Sequence, residues 1–244
     1  MTVSRPLEGK TALVTGAARR IGRQIALTLA EQGAYVAISY LTSQREAQQT
    51  VHDLREMNVT ALGVKCDLRD PAAIDAMVEE VAGKLGGIDL LVNNAGMFES
   101  IALEDISADL WDRMFATNTR APFLVARAAH PYLKSAHGRI VNIGSLGGQH
   151  PWATHGHYCT SKAALHMLSE TMAKAWAPEI SVNCVAPGMI VNGEVEEDYE
   201  SFARRTPMQR NGSAKDVASA VLYFATAPHF ITGQLLTVDG GLGL

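Results

Sequence analysis

Short apolar runs that read as β-strands alternate with helical segments along the chain, and this alternation most constrains the fold. The predicted strands are Thr11 to Thr15, Tyr35 to Tyr40, Ala61 to Cys66, Ile88 to Val92, Arg139 to Ile143, Ser181 to Ala186 and Gln234 to Val238. Strands that are joined by helices lie parallel, and the helices cover both faces of the sheet. The sequence therefore predicts an α/β fold with a doubly wound, seven-stranded parallel sheet.

The helical segments are bounded by recognisable start and stop signals. They are predicted at Ile21 to Leu29, Gln44 to Met57, Pro71 to Leu85, Ser107 to Ser135 with an interruption near Pro122, Tyr158 to Ala177, and from Ser213 onward. Asp216 stands three residues after Ser213, which is the spacing of a capping box. No linker, repeat or low-complexity tract divides the chain, so residues 1–244 are expected to form a single domain.

The longest stretch without a strand or helix pattern is 189–211. It follows the strand that ends at Ala186, and it carries acidic residues at Glu194, Glu196, Glu197 and Asp198. Ligands of doubly wound folds bind at the carboxyl ends of the strands, where long loops often cover them. We expect a substrate lid at 189–211; a surface loop with a small helix is the alternative.

Composition excludes several kinds of partner. Lys and Arg total 21 against 25 Asp and Glu, and no basic run occurs, so no nucleic-acid partner is expected. No apolar stretch is long enough to span a bilayer, and the first residues lack the apolar segment of a signal peptide. Cys66, Cys159 and Cys184 are far apart, as expected of reduced thiols. We expect a cytoplasmic protein that acts on a small molecule and has no membrane partner.

A glycine-containing turn joins the first strand to the first helix. Gly16 and Gly22 allow the backbone to turn tightly and to approach a phosphate. The helix that starts near Ile21 offers free N–H groups and the positive end of its dipole, and Arg19 and Arg20 add cations. This turn, placed after a strand, is typical of a Rossmann-type dinucleotide site.

The end of the second strand indicates which dinucleotide binds. An NAD site usually has a carboxylate there for the ribose 2′-hydroxyl, but this chain has Tyr40, Thr42 and Ser43 in that region. Their hydroxyls and the Arg19 guanidinium suit a 2′-phosphate, so the predicted cofactor is NADP(H). Asp67, which ends the third strand, is expected to accept a hydrogen bond from the adenine amine; a turn-forming or helix-capping role is the alternative.

Four polar residues form the predicted chemical site. Tyr158 and Lys162 are four residues apart on one helix, so they share a face. A nearby ammonium lowers the pKa of a tyrosine and brings its hydroxyl into the range of proton transfer. Ser145 follows a strand end and can hold a substrate carbonyl, and Asn118 can bind a water that connects Lys162 to solvent.

The chain resembles the short-chain dehydrogenase/reductase family over nearly its whole length. The resemblance rests on the Thr15 to Gly22 turn, Asp67, Asn93-Asn94-Ala95-Gly96, Asn118, Ser145, Tyr158 with Lys162, Pro187-Gly188 and Val238-Asp239-Gly240-Gly241. It implies hydride transfer between NADP(H) and a carbonyl or alcohol in a single Rossmann-type domain. It also implies a homo-oligomer, either a tetramer or a dimer.

The same resemblance implies a role for each matching residue. Tyr158 would be the general acid of carbonyl reduction, and Lys162 would lower its pKa and bind the nicotinamide ribose. Ser145 would polarise the carbonyl, and Asn118 would support the proton relay. The cofactor would also contact Asn94, Ala95, Gly96, Pro187 and Gly188.

Departures from the family pattern bear on the substrate. Arg20 stands where a second glycine is usual, which resembles the pteridine reductases, and Phe98 matches their pterin-stacking phenylalanine. Against this, several pteridine reductases have aspartate where this chain has Ser145 and serine where it has Gly96. Reductases that use acyl carrier protein tend to have basic residues in two places where this chain has Ala136 and Pro178.

A cluster of potential metal ligands precedes Tyr158. It comprises His150, His155, His157 and Cys159. No further ligand group is evident elsewhere, and nicotinamide chemistry needs no metal, so no metal site is predicted. We expect these side chains to line the substrate pocket, with Trp152 either adding an apolar wall or serving only in packing.

Three functions remain open at this point. The leading hypothesis is an NADPH-dependent reductase of a small carbonyl or pterin-like substrate. The second is a 3-oxoacyl-thioester (acyl-carrier-protein) reductase. The third is a non-catalytic NADP(H)-binding sensor, although such a protein could lose Tyr158, Lys162 or Ser145, and this chain has all three.

Overall fold

The computed structural model describes residues 5–191 and 197–244. The strands are β1 (Thr11–Val14), β2 (Tyr35–Tyr40), β3 (Ala61–Lys65), β4 (Leu90–Asn93), β5 (Arg139–Ile143), β6 (Ser181–Pro187), β7 (Ile190–Val191), β8 (Gly212–Ser213) and β9 (Leu235–Val238). The α-helices are α1 (Arg20–Glu31), α2 (Gln44–Glu56), α3 (Pro71–Leu85), α4 (Ala108–Phe115), α5 (Ala121–Ser135), α6 (Gly156–Trp176), α7 (Glu197–Arg205) and α8 (Ala214–Thr226).

Seven of the strands form one parallel sheet in the order β3-β2-β1-β4-β5-β6-β9. Each lies within two residues of its predicted bounds. The order reverses between β1 and β4, and the crevice outside such a reversal is where doubly wound folds bind ligands. The predicted fold class is therefore confirmed.

Two apolar layers hold helices against the sheet. One layer lies under α1, α2 and α8, and the other under α3, α5 and α6. The central strands contribute to both layers: Val92 faces the first and Leu91 the second, and both are fully buried. Strands covered on both faces need continuous apolar runs, which explains why these strands do not alternate between polar and apolar residues.

The predicted helix boundaries have clear chemical causes. The Asp70 carboxylate accepts a hydrogen bond from the Ala72 backbone N–H at 2.9 Å, and Pro71 occupies the first position of α3. The predicted capping box of α8 is present, because Ser213 and Asp216 each bind the other's backbone N–H.

The long helix predicted from Ser107 to Ser135 is divided into α4 and α5. A single π-helical turn at 116–120 separates them, just before the predicted interruption near Pro122. Pro122 lies in the first turn of α5, directly after the π turn, and its missing N–H interrupts the regular helical hydrogen bonding there. Isolated π turns inside helices are frequent at functional sites, and this one carries the buried Asn118.

The segment 189–211 is more regular than the sequence analysis expected. Strands β7 and β8 pair at its two ends, and α7 occupies 197–205, while residues 192–196 lie outside the described part of the chain. The Arg205 guanidinium packs over the Phe202 ring at 4.5 Å, and Arg204 pairs with Glu200 one turn earlier. Charged residues outnumber the apolar Tyr199, Phe202 and Ala203 in this nine-residue helix, so its apolar stripe is shorter than those by which the other helices were recognised.

The turn between β1 and α1 is built by close backbone packing. Gly16 has φ +62°, and a Cβ on it would lie 2.8 Å from the Ala95 Cα. A Cβ on Gly22 would lie 2.7 Å from the Gly16 carbonyl oxygen. Between them Arg20 has φ +54°, a left-handed conformation that disfavours side chains with a Cβ.

Replacing Arg20 tests this strain. Arg20→Gly should raise the free energy of unfolding by about 1 kcal/mol, because glycine adopts positive φ without a Cβ penalty. Arg20→Ala is the matched control, since it removes the same guanidinium but keeps the Cβ. Urea unfolding of both variants measures the difference; equal stabilities would contradict a strained turn.

Candidate active site

The chemical residues converge at the carboxyl end of β5. Ser145 follows this strand, and α6 crosses behind it carrying Tyr158 and Lys162. Ser145 is 4% exposed, its Oγ accepts a hydrogen bond from the Gly147 N–H at 3.1 Å, and it hydrogen-bonds the Tyr158 side chain. The structure thus brings together Ser145, Tyr158 and Lys162.

Lys162 is buried behind the tyrosine. Its Nζ donates a hydrogen bond to the Ile143 carbonyl oxygen at 2.8 Å and lies 6.0 Å from the Tyr158 ring centroid. Burial lowers the pKa of Lys162 to about 8, because desolvation disfavours the ammonium. The charge of this group is therefore sensitive to mildly alkaline pH.

The pKa of Tyr158 departs from the sequence-based expectation. Burial raises it above the ordinary value, and the hydrogen bond with Ser145 opposes that rise only in part. Lys162 is not among the causes of this shift, so the expected lowering of the Tyr158 pKa by its ammonium is not seen. A raised pKa keeps the hydroxyl protonated near neutral pH, as a proton donor requires.

Both polar atoms of the Asn118 carboxamide form hydrogen bonds with neighbouring residues. Its Oδ1 accepts a hydrogen bond from the Met97 N–H at 2.7 Å, and its Nδ2 donates to the Met97 carbonyl and to Ser161 Oγ. A Cβ on Gly96 would lie 3.4 Å from this Oδ1 and 3.5 Å from Lys162 Nζ. Asn118 Oδ1 and Lys162 Nζ therefore both lie beside Gly96, each at van der Waals contact distance from that position.

Ser161 was not anticipated from the sequence. Its hydroxyl donates to the Tyr158 carbonyl and accepts from Asn118, so it joins α6 to the π turn. Its position three residues after Tyr158 was the available signal, since that spacing places it near the same helix face.

An aromatic wall stands beside the tyrosine. The ring of Phe98 is 61% exposed, lies edge-on to Tyr158 with centroids 4.8 Å apart, and stacks on His155 at 4.8 Å. Trp152 stacks on Tyr158 at 6.2 Å and meets His155 edge-on. We call Phe98, Trp152 and His155 the aromatic wall.

The histidine cluster does not behave as one group. His155 belongs to the aromatic wall, whereas His157 is fully buried and, within the described part of the chain, neither of its ring nitrogens has a hydrogen-bond partner. His157 directly precedes Tyr158 in α6, so the two side chains leave the helix in different directions. Within the described ranges, no three His, Cys, Asp or Glu side chains come together as metal ligands.

The predicted dinucleotide turn is held by Asn94. Its Nδ2 donates to the carbonyl oxygens of Thr15 and Gly16 at 2.9 and 3.1 Å, and its backbone N–H donates to Thr15 Oγ1. Ala95 touches Gly16, as described above. Asn94 and Ala95 thus shape the turn, and no side chain caps the N-terminus of α1, whose first residues are Arg20 and Ile21.

The other predicted cofactor residues line the same edge of the sheet. Arg19 and Arg20 are exposed at the start of α1, and Thr42 and Ser43 precede α2. Tyr40 instead packs in the core and lines a cavity of about 340 Å³ between α2 and β3. On the opposite half of the sheet, β6 ends at Pro187, and Gly188 follows it.

Asp67 has a partner that the sequence analysis missed. Arg69 donates to its two carboxylate oxygens from Nε and Nη2, at 2.9 and 2.7 Å. These hydrogen bonds with Arg69 lower the pKa of Asp67. The spacing of two residues was the available signal, because the turn after β3 folds Arg69 back onto the carboxylate.

None of the helices in 5–191 and 197–244 has the length and apolar character needed to cross a bilayer.

Comparisons with known proteins agree with this geometry. Residues 16–243 match the family model described as enoyl-(acyl carrier protein) reductase. The chain is 35% identical to a 3-oxoacyl-[acyl-carrier-protein] reductase of Staphylococcus aureus, covering 96% of this chain and 98% of that protein.

Two solved structures are similar throughout. A dehydrogenase/reductase from Sinorhizobium meliloti has a TM-score of 0.94 at 37% identity, with 99% of this chain and 98% of that chain covered. A short chain dehydrogenase from Burkholderia cenocepacia in complex with NADP has a TM-score of 0.92 at 38% identity, with coverages of 98% and 100%. The chain therefore belongs to the short-chain dehydrogenase/reductase family and is an oxidoreductase.

Proposed function

We propose that the protein is an NADPH-dependent reductase that transfers a hydride to a carbonyl, or a related C=N group, of a small substrate. The observation that carries this proposal is the convergence of Ser145, Tyr158 and Lys162 beside the glycine-containing turn. The three side chains lie where a proton can be donated to a single substrate atom. The glycine-containing turn offers a dinucleotide site within the same crevice.

The cofactor is NADP(H). A similar structure contains NADP, as reported above, and this chain has the chemistry for a 2′-phosphate. Arg19 and Arg20 are exposed at the N-terminus of α1, and the hydroxyls of Thr42 and Ser43 lie at the start of α2. Guanidinium groups bind phosphate in a bidentate manner, and a helix N-terminus adds N–H donors. We assign Gly16, Ile21, Gly22, Tyr40, Asp67, Asn94, Ala95, Gly96, Pro187 and Gly188 to the same site.

Each catalytic residue acts on a defined proton or charge. NADPH, when bound, supplies the hydride. Ser145 donates a hydrogen bond to the substrate carbonyl oxygen, and Tyr158 gives that oxygen its hydroxyl proton. The ammonium of Lys162 stabilises the phenolate that remains. A water between Asn118 and Lys162 returns a proton toward the tyrosine from solvent.

The substrate carries a flat ring. The aromatic wall offers the exposed face of Phe98 next to the proton donor, and planar ring systems stack on such faces at 4.5–7 Å between centroids. Pterin-like rings fit this description. A 3-oxoacyl thioester is the second candidate, favoured by the Staphylococcus aureus relative, although Ala136 and Pro178 offer no cation to an acidic carrier protein.

The segment 189–211 serves as a substrate lid. Pairing of β7 with β8 fixes both of its ends beside β6 and α8, near the crevice. The Met208 side chain is 67% exposed there, which offers apolar surface for a substrate. Residues 1–244 thus form one catalytic domain with this cover.

The protein assembles with copies of itself in the cytoplasm. The outer face of α4, α5 and α6 exposes Phe123 and Met167 beside a cavity of about 520 Å³ lined partly by Phe115. Contiguous apolar surface of this kind marks a protein interface. The three cysteines are unpaired, as expected in a reducing compartment.

A substrate panel tests the proposed function. NADPH oxidation by the purified protein is measured separately with dihydrobiopterin, acetoacetyl-CoA, diketones and quinones. Turnover of at least one of these compounds is expected. Turnover of the pterin but not the thioester would support the ring substrate, and the reverse would favour the thioester. No turnover of any compound, with NADPH still bound, would favour the sensor.

Removing the tyrosine hydroxyl tests the proton donor. Tyr158→Phe should lower kcat at least about 100-fold, the contribution typical of a general acid, while the Kd for NADPH changes little. Tyr223→Phe, in the exposed part of α8, is the matched control and should retain activity. A fully active Tyr158→Phe enzyme would rule out this mechanism.

Lys162 should make the kcat/KM of carbonyl reduction depend on pH. Its pKa of about 8 means that the ammonium is present below that pH and is lost above it. Because the neutral amine cannot stabilise the phenolate, kcat/KM for reduction should be constant up to about pH 8 and decline above it. Initial rates from pH 6 to 10 measure this; a constant value up to pH 10 would contradict it.

Light scattering tests the assembly. The wild-type mass should be a multiple of the 26.2 kDa chain. Met167→Glu should shift it toward the monomer, since a charge would be buried in the interface. Lys174→Glu, on an exposed part of the same helix, is the control. A monomeric wild-type protein would overturn the proposal.

A further inference from the structure

A buried histidine on α6 contacts the loop that carries Ser145. His166 is 7% exposed and lies one helical turn beyond Lys162. Its Nε2 accepts a hydrogen bond from the Ser145 backbone N–H at 3.3 Å. The mechanism proposed above assigns no role to this residue.

The loop is shaped to receive the imidazole ring. A Cβ on Gly144 would overlap Nε2 and would lie 2.7 Å from Cδ2. A Cβ on Gly148 would lie 2.9 Å from Nδ1 on the other side. The two glycines therefore let the backbone pass closely around His166, a fit that side chains at either position would prevent.

The ring must be neutral to act as this acceptor. Burial, and secondarily the nearby charge of Lys162, lowers the pKa of His166 to about 4. A neutral imidazole carries one proton, and since Nε2 accepts from Ser145, that proton is on Nδ1. At physiological pH the hydrogen bond to Ser145 is therefore available, and no second cation stands beside Lys162.

We propose that His166 is a positioning residue: its imidazole holds the 144–148 backbone on α6, so that Ser145 Oγ stays in register with the Tyr158 hydroxyl. The same helix then carries the proton donor, the ammonium and the group that aligns the serine. This inference rests on the proposed function, because alignment matters only if Ser145 meets a carbonyl. Small misplacements of such groups reduce rates strongly.

Two similar variants separate positioning from general packing. In His166→Gln the amide oxygen reaches the place of Nε2, whereas in His166→Asn it reaches only the place of Nδ1. His166→Asn should lower kcat for carbonyl reduction at least about tenfold, with an unchanged Kd for NADPH, and His166→Gln should stay within about threefold of wild type. Lys174→Gln, exposed on the same helix, is the control.

A second measurement does not depend on turnover. Hydrogen exchange at the Ser145 amide, followed by mass spectrometry, should be about tenfold faster in His166→Asn and close to wild type in His166→Gln, since only the first loses the acceptor. Equal exchange in the two variants, or equal kcat values, would overturn the proposal. If the wild-type protein reduces no carbonyl, the proposed function fails, and the exchange rates still decide whether His166 holds the loop.

Discussion

Parallel pairing of β4 with β1 on one side and β5 on the other is the constraint on which the site depends. The registers place Val92 beside both Val14 and Val141. All three strands therefore end at the same edge of the sheet, and the loops that follow them meet there. One loop is the glycine-containing turn, the second begins with Asn94, and the third carries Ser145. Apolar layers cover both faces of the sheet, so a ligand reaches the polar groups of these three loops at this edge.

Burial then determines the electrostatics of the edge. Lys162 keeps a single hydrogen bond, to the Ile143 carbonyl oxygen, and its pKa is lowered because water is excluded from it. The same exclusion raises the pKa of Tyr158 and keeps His166 neutral. Near neutral pH the three side chains on α6 are thus a protonated phenol, an ammonium and a neutral imidazole. A cofactor bound in the crevice would exclude water further and strengthen these interactions.

Glycines and asparagine side chains shape the backbone around the site in different ways. Gly16 and Gly22 allow backbone to touch backbone, and Asn94 closes the turn with hydrogen bonds to two carbonyl oxygens. Asn118 is placed by a π turn, where an extra residue per turn rotates its side chain toward Met97 and Ser161. Hydrogen bonds within the fold therefore fix the positions of both asparagines, whereas the Phe98 ring is exposed.

The sequence by itself determined the seven strands, the capping box of α8 and the Tyr158–Lys162 pair, because these follow from local periodicity and fixed spacing. It did not show α7, a nine-residue helix in which charged residues outnumber apolar ones, nor the burial of His157, since the side of a helix that is buried depends on its neighbours. The bond between Asp67 and Arg69 arises from the fold of a turn. Only the tertiary structure decided the direction of the Tyr158 pKa shift and the contact of His166 with Ser145, because burial and long-range proximity are properties of the packed chain.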